Sequence, residues 1–150
     1  LDLTDLAFID APNTQEAIRT KVRPGDVLLS ITADLGRTAV VPDEIGDAYI
    51  NQHLSILRTK AVDPVFLSSY LSSIDGQKQI AGRNRHAVKA GLNFDDISSI
   101  IVPLPPARLQ SRYRQFVGTL ETQRNTCIAA AYEAEKLFSS LQDRAFAGNL

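Results

Sequence analysis

Apolar positions follow two rhythms along this chain, and the change of rhythm divides it. From Leu109 onward they recur in alternating steps of four and three: Leu109, Tyr113, Phe116, Leu120, Cys127, Ala130, Ala134, Leu137 and Leu141, with Gln123 alone interrupting the series. A seam of period 3.5 held over more than four heptads is the pattern of a coiled coil rather than of an ordinary surface helix. About 37 residues at ~1.5 Å each predict a helix roughly 55 Å long, suited to a spacer or a dimer arm. Its boundary is the run Ile100-Ile101-Val102-Pro103-Leu104-Pro105-Pro106, whose prolines stop any element that reaches them.

Before that boundary the rhythm is shorter. Val22-Arg23-Pro24-Gly25-Asp26 places Pro and Gly where a type II turn needs them, and Val27-Leu28-Leu29-Ser30-Ile31 then reads as a buried strand. Asp34-Leu35-Gly36 turns the chain into a second strand, Thr38 to Val41, and Leu54 to Thr59 alternates as a half-buried third. Asp63-Pro64 supplies an N-cap and a first-turn proline. The helix they open is predicted to bury Val65, Phe66, Leu67, Tyr70, Leu71 and Ile74, with Gly76 as its stop or break. A short strand at Ala87 to Ala90, a helical turn from Asn93 to Ser98 and a strand at Ile100 to Leu104 complete the expectation. The predicted class is α+β: a mixed-sheet domain over residues 1–105, followed by a long C-terminal coiled-coil helix over 106–150.

Composition narrows the function. A chain of 150 residues with 44% hydrophobic content builds a real core, and the single Cys127 excludes an internal disulfide and suits a reducing, cytoplasmic setting. No apolar run approaches a membrane span, and the start does not read as a signal peptide. A first residue other than Met suggests a fragment. A net charge of −1 makes no global bid for nucleic acid, but charge is uneven. Residues 1–18 carry Asp2, Asp5, Asp10 and Glu16 and no base, whereas residues 76–94 carry Lys78, Arg83, Arg85, His86 and Lys89 and no acid. A local basic stretch can engage phosphate, and a solvated face is an equal reading of it. Catalytic constellations are missing. His53 and His86 have no partner at metal-ligand spacing, Cys127 sits on the seam as a packing residue, and no phosphate-binding glycine loop or nucleophile elbow occurs. None of the five lysines follows an acid by two residues, and Pro105-Pro106 follows Leu104 rather than the Asn or Asp of an adenine methyltransferase loop. No cofactor or metal is expected, and the chain by itself reads as non-catalytic.

Several elements in order carry a resemblance. Val22-Arg23-Pro24-Gly25-Asp26-Val27-Leu28-Leu29-Ser30, Gln52 to Arg58, Gly91-Leu92-Asn93 to Ile97, Ile101 to Pro106 with Gln110, and the closing Ala145-Phe146-Ala147-Gly148-Asn149-Leu150 together resemble the specificity subunit of type I restriction–modification systems. The resemblance covers about residue 20 to residue 150, with Leu109-Gln110 where the family often has Glu before its Gln. It implies a target recognition domain, here shortened at its N-terminus, and a spacer helix. A full subunit has two such units, so this chain looks like half of one or a half-length version. The implied partners are double-stranded DNA, a methyltransferase (modification) subunit and a translocase/nuclease (restriction) subunit, with no membrane.

The physical reading of the helix agrees. Small Cys127, Ala130 and Ala134 let two helices approach, and Gln123 on the seam favours one register, so an antiparallel homodimer or pairing with a second recognition unit is expected. Three segments are candidates for DNA contact. The first is Arg83-Asn84-Arg85-His86 with Lys89, since Arg reads guanine, Asn reads adenine and both hold phosphates. The second is Thr32, Asp34 and Arg37 between the first two strands, where Asp34 either accepts from a cytosine amino group or caps the turn. The third is Asn51-Gln52-His53, for which a turn leading into a strand is an equal reading. An enzyme-linked alternative is the C-terminal recognition domain of a fused N6-adenine DNA methyltransferase. A dimerisation protein without a DNA role leaves the domain's ordered elements unexplained.

Overall fold

Gly25 has a backbone φ of +79°, and the Asp26 amide donates to the Arg23 carbonyl at 3.0 Å, which completes the type II turn. The turn feeds β1 (Val27–Ser30), the central strand of a three-stranded sheet ordered β2-β1-β3, with β2 at Thr38–Val40 and β3 at Leu54–Leu57. The computed structural model describes residues 7–10, 13–84 and 91–148. Leu28 lies opposite both Ala39 and Ile56 in antiparallel pairings, so the sheet among the described residues is purely antiparallel and not mixed. No helix separates its three strands, and parallel pairing requires a long crossover.

β1 is buried on both faces, which is why its sequence is continuously apolar. Leu28 packs with Val22 and Val41 and is covered by Ile45, Ala48, Ile50, Leu54 and Ile56. On the other face Val27 meets Leu67 and Leu71, and Leu29 meets Ile80 and Leu92. The helices supplying that face are α2 (Pro64–Ser72) and α3 (Ile74–Arg83). A short helix, α1 (Gln15–Thr20), precedes the sheet with Thr14 as its N-cap; its six residues were too few to show a periodicity.

The Asp63-Pro64 start holds, for Asp63 Oδ1 accepts from the Val65 and Phe66 amides at 2.9 and 3.2 Å. The expected stop at Gly76 is displaced to Ser73, whose extended backbone (ψ 165°) separates α2 from α3. The Ser73 hydroxyl donates to the Tyr70 carbonyl at 2.6 Å and accepts from the Gly76 amide at 3.3 Å, so it ends one helix and caps the next. Gly76 serves packing instead: a Cβ there would lie 2.3 Å from the Tyr70 carbonyl oxygen. Beyond the break Ile74 turns outward and is 75% exposed, against the burial expected of it.

Residues 100–104 do not form a strand. Gln79 on α3 takes the place of a neighbouring strand: its Oε1 accepts from the Ile101 amide at 3.0 Å and its Nε2 donates to the Ile101 carbonyl at 2.8 Å. The expected turn near Asn93 is α4 (Phe94–Ser98), closed by a capping box between Asn93 and Asp96. The short strand expected at residues 87–90 lies outside the described residues.

α5 (Ala107–Phe146) has 40 residues, hence a length of ~60 Å. Its seam is exposed: Leu109, Phe116, Leu120, Leu137 and Leu141 all face solvent, and Cys127, Ala130 and Ala134 with them. The chain divides into two compact units at Ser111 and Arg112, the second being the remainder of α5. Gln110, in the first turn of α5, is buried at 4% exposure within the first unit. Its Oε1 accepts from the Asp63 amide at 2.6 Å, and its Nε2 donates to the Pro105 carbonyl at 2.8 Å and the Ala61 carbonyl at 3.4 Å.

One ion pair closes the sheet at the start of β1. Asp26, 4% exposed, accepts from Arg58 Nε at 2.7 Å and Nη2 at 2.8 Å, and from the Arg23 amide at 2.7 Å. Arg58 Nη2 also donates to the Lys21 carbonyl at 2.7 Å. A buried carboxylate needs this many donors, because losing its partner leaves a charge out of water. Arg58→Ala is therefore expected to lower unfolding stability by about 2–3 kcal/mol, below the value for a fully buried pair because Arg58 is 38% exposed. Urea unfolding followed by circular dichroism measures it; a change under ~0.5 kcal/mol would refute the assignment.

Candidate functional site

The β1–β2 hairpin emerges at the end of the sheet opposite Asp26, and its loop is held through main-chain atoms. The Ser30 hydroxyl donates to the Asp34 carbonyl and accepts from the Arg37 amide at 2.9 Å. The Ser30 carbonyl accepts from the Gly36 amide at 3.0 Å. From the helix side, Gln77 Nε2 donates to the Gly36 carbonyl at 2.9 Å and to the Leu71 carbonyl at 2.8 Å. Thr38, which opens β2, lies 2.9 Å from the Ser68 hydroxyl and 2.7 Å from that of Ser72. Two residues of the loop adopt the left-handed region, Ala33 at φ +58° and Gly36 at φ +85°. The side chains of Asp34 and Arg37 stay outside, paired Oδ2 to Nε at 2.6 Å and 70% and 80% exposed.

Thr32 joins two of the three candidate segments. Its Oγ1 lies 2.6 Å from His53 Nδ1, joining the first loop to the segment Asn51-Gln52-His53. The Gln52 side-chain amide lies 3.3 Å from His53 Nε2. The Asn51 side chain accepts from the His53 amide at 3.0 Å and fixes that corner. A cleft lined by Thr14, Glu16, Thr20, Tyr49, Asn51 and Gln52 adjoins it. Thr32 also bridges Gly91 in antiparallel fashion, and the Leu92 amide donates to the Ile31 carbonyl at 2.9 Å. Gly91 and Leu92 are thereby fixed at the same corner.

Of that segment, Arg83 is engaged within the fold. Its guanidinium donates to Ser99 Oγ at 2.6 Å, the Ser99 carbonyl at 2.5 Å and the Gln79 carbonyl at 2.8 Å, tying α3 to the end of α4. Asn84 Oδ1 accepts from the Gly91 amide at 3.4 Å. Arg85, His86 and Lys89 lie outside the described residues. The anchors Ser30, Thr38 and Gln77 escaped the sequence reading, since Gln77 and its carbonyl partner are 41 positions apart and nothing local announces the contact. Elsewhere on the first unit, the Asp47 carboxylate hydrogen-bonded to Lys21 at 2.7 Å holds that ammonium above the usual lysine range. Among the described residues no three His, Cys, Asp or Glu side chains are placed to hold a metal ion, and no helix is long and apolar enough to cross a membrane.

No family model matches the chain. It is 28% identical over 161 aligned positions to the specificity subunit of the type I restriction enzyme EcoBI from Escherichia coli, an alignment covering all of this chain and 33% of that protein. Among solved structures it matches a chain from a study of complex assembly and conformational transition of the type I R-M system, with a TM-score of 0.65 and 26% identity, over 87% of this chain and 33% of the other. Sequence and fold thus bear out the resemblance to type I specificity subunits, and the chain spans about a third of the length of each protein it matches.

The loop geometry makes Gly36 the residue least open to change. A Cβ there would stand 2.8 Å from the Gln77 amide oxygen, at a φ that L side chains avoid. Gly36→Ala should cost at least ~1 kcal/mol of stability, read as a lower urea midpoint; an unchanged midpoint would mean that the loop relaxes freely.

Proposed function

We propose that this chain is the DNA-reading part of a type I restriction–modification specificity subunit, one target recognition domain with its spacer helix. It is non-catalytic; methylation and cleavage belong to a methyltransferase subunit and a translocase/nuclease subunit that it directs to their site. The observation that carries this reading is the likeness to a type I specificity subunit along the whole chain. The grouping of Thr32, Asp34, Arg37, Asn51, Gln52 and His53 at one sheet end, where Thr32 also bridges Gly91, supports it by supplying a polar surface. Both comparisons are with type I systems, and neither favours the fused methyltransferase.

The seam of α5 supports pairing with a second copy, antiparallel, about a twofold axis at Asn125. In that register Leu109 faces Leu141, Phe116 faces Ala134, Leu120 faces Ala130 and Gln123 faces Cys127, so each large residue of the first half meets a small one or a leucine of the second. Parallel pairing would instead set Phe116 against Phe116 and Ala130 against Ala130, crowding one layer and emptying another. The exposed leucines and phenylalanine of the seam are the apolar stripe that such pairing removes from water. Two recognition domains so joined suit half-sites separated by about one helical turn or more, ~34 Å.

Two measurements test this. Light scattering should give twice the chain mass, and a variant with Cys127→Ser, Leu120→Cys and Ala130→Cys should cross-link into covalent dimers with a short bis-maleimide. A monomer at all concentrations, or a dimer that does not cross-link, overturns the register. For the DNA reading, binding to duplex should weaken as salt rises, with a log–log slope of about −0.9 per phosphate neutralised. Absence of salt-sensitive duplex binding, alone and with partner subunits, would exclude it.

A further inference from the structure

The exposed pair Asp34–Arg37 has no packing role, yet the loop beneath it is built at a cost. Ala33 holds a left-handed backbone that a non-glycine residue adopts only when its surroundings enforce it, and such strain gathers at sites with a task. A single hydroxyl, that of Ser30, touches the main chain of both members of the pair, at the Asp34 carbonyl and the Arg37 amide. Gln77 fixes the intervening Gly36 from the helix layer. The two side chains are therefore presented as a unit from a fixed base.

The hydrogen-bonding capacity left on that unit is specific. Arg37 Nε and Asp34 Oδ2 are ion-paired at 2.6 Å on an exposed surface, so the two Nη groups of Arg37 remain available as a fork of donors. Asp34 keeps Oδ1 as an acceptor beside them. Read outward, the unit offers donor, donor, acceptor. The major-groove edge of a G·C pair offers the complement: guanine N7 and O6 accept, and the cytosine N4 amino group donates. An A·T pair presents a donor at adenine N6 where the fork needs an acceptor.

We infer that Asp34 and Arg37 form one composite reader of a G·C base pair, Arg37 engaging guanine and Asp34 orienting it and accepting from the paired cytosine. This rests on the DNA-reading function proposed above and adds which residues read and what they read. Of the two roles expected for Asp34, it takes the base contact, made jointly with Arg37.

The test is selection of binding sites from a randomised duplex pool by the whole chain, followed by affinities at fixed and varied salt. Wild type should enrich sites with one G·C position per recognition domain that Arg37→Lys relaxes, lowering the preference roughly 10- to 100-fold. Because lysine keeps the charge, the salt slope should stay unchanged. Asp34→Asn should relax the same position, and should add nothing in the Arg37→Lys background. Both variants should unfold at the wild-type urea midpoint, the pair being exposed. If Arg37→Lys leaves the selected sequence intact, or if Arg37→Ala weakens every sequence equally and reduces the slope by about 0.9, Arg37 is a phosphate anchor and the inference falls. If Asp34→Asn changes a different position, the two residues read separately and the composite reader is wrong. A wild type that enriches no sequence removes the DNA-reading proposal itself, and this one with it.

Discussion

A carboxylate buried at the mouth of the central strand sets the register of the sheet. Buried Asp26 must be met by several donors to replace the water it has lost, and those donors come from the turn that precedes β1 and from the residue that follows β3. Val27 and Leu57, next in each strand, are thereby held opposite one another. A slip of one residue would take Arg58 off Asp26 and turn Leu28 and Ile56 out of their shared core. The polar requirement and the apolar one select the same alignment, which leaves the far end of the sheet free to carry loops.

Glutamine amides do the equivalent work wherever irregular chain meets a helix. Gln79 satisfies both peptide groups of Ile101, Gln77 joins the Gly36 loop to the end of α2, and Gln110 bridges the Asp63 amide and the Pro105 carbonyl. A side-chain amide both donates and accepts, so it can stand in for a missing strand or a missing helical turn. With three short strands among the described residues, this is how loops are kept in place.

The elements read correctly from sequence were those with a local physical cause. Pro24-Gly25 dictated its turn, Asp63-Pro64 its helix start, Asn93 to Ser98 its helical turn, and the 4–3 spacing after Leu109 its long helix. Where the reading failed, a distant residue had decided the matter. Ile100 to Leu104 has strand composition, but Gln79 occupies its hydrogen bonds; Gly76 looked like a helix stop, yet the stop is a serine that bonds on both sides. The candidate site was legible as residues and not as an arrangement. Thr32, Arg37 and His53 stood out individually, but their meeting depends on β1 pairing with β3, and the reassignment of Arg83 to Ser99 depends on where α4 ends. Basic composition alone did not separate a guanidinium held inside the fold from one presented to solvent.

The anchoring of the β1–β2 loop carries a consequence for how such a surface evolves. Ser30 and Gln77 grip carbonyl and amide groups, which every residue possesses, and leave the side chains at positions 34 and 37 outside the contacts that hold the loop's backbone. Substitution at those positions changes what the surface displays while the scaffold keeps its fold. Ala33 and Gly36 by their backbone conformation, Leu35 by packing against the core and Thr32 by its contact with His53 are held back from this exchange. Selection can thus rewrite the message of the loop residue by residue without first repairing the page on which it is written.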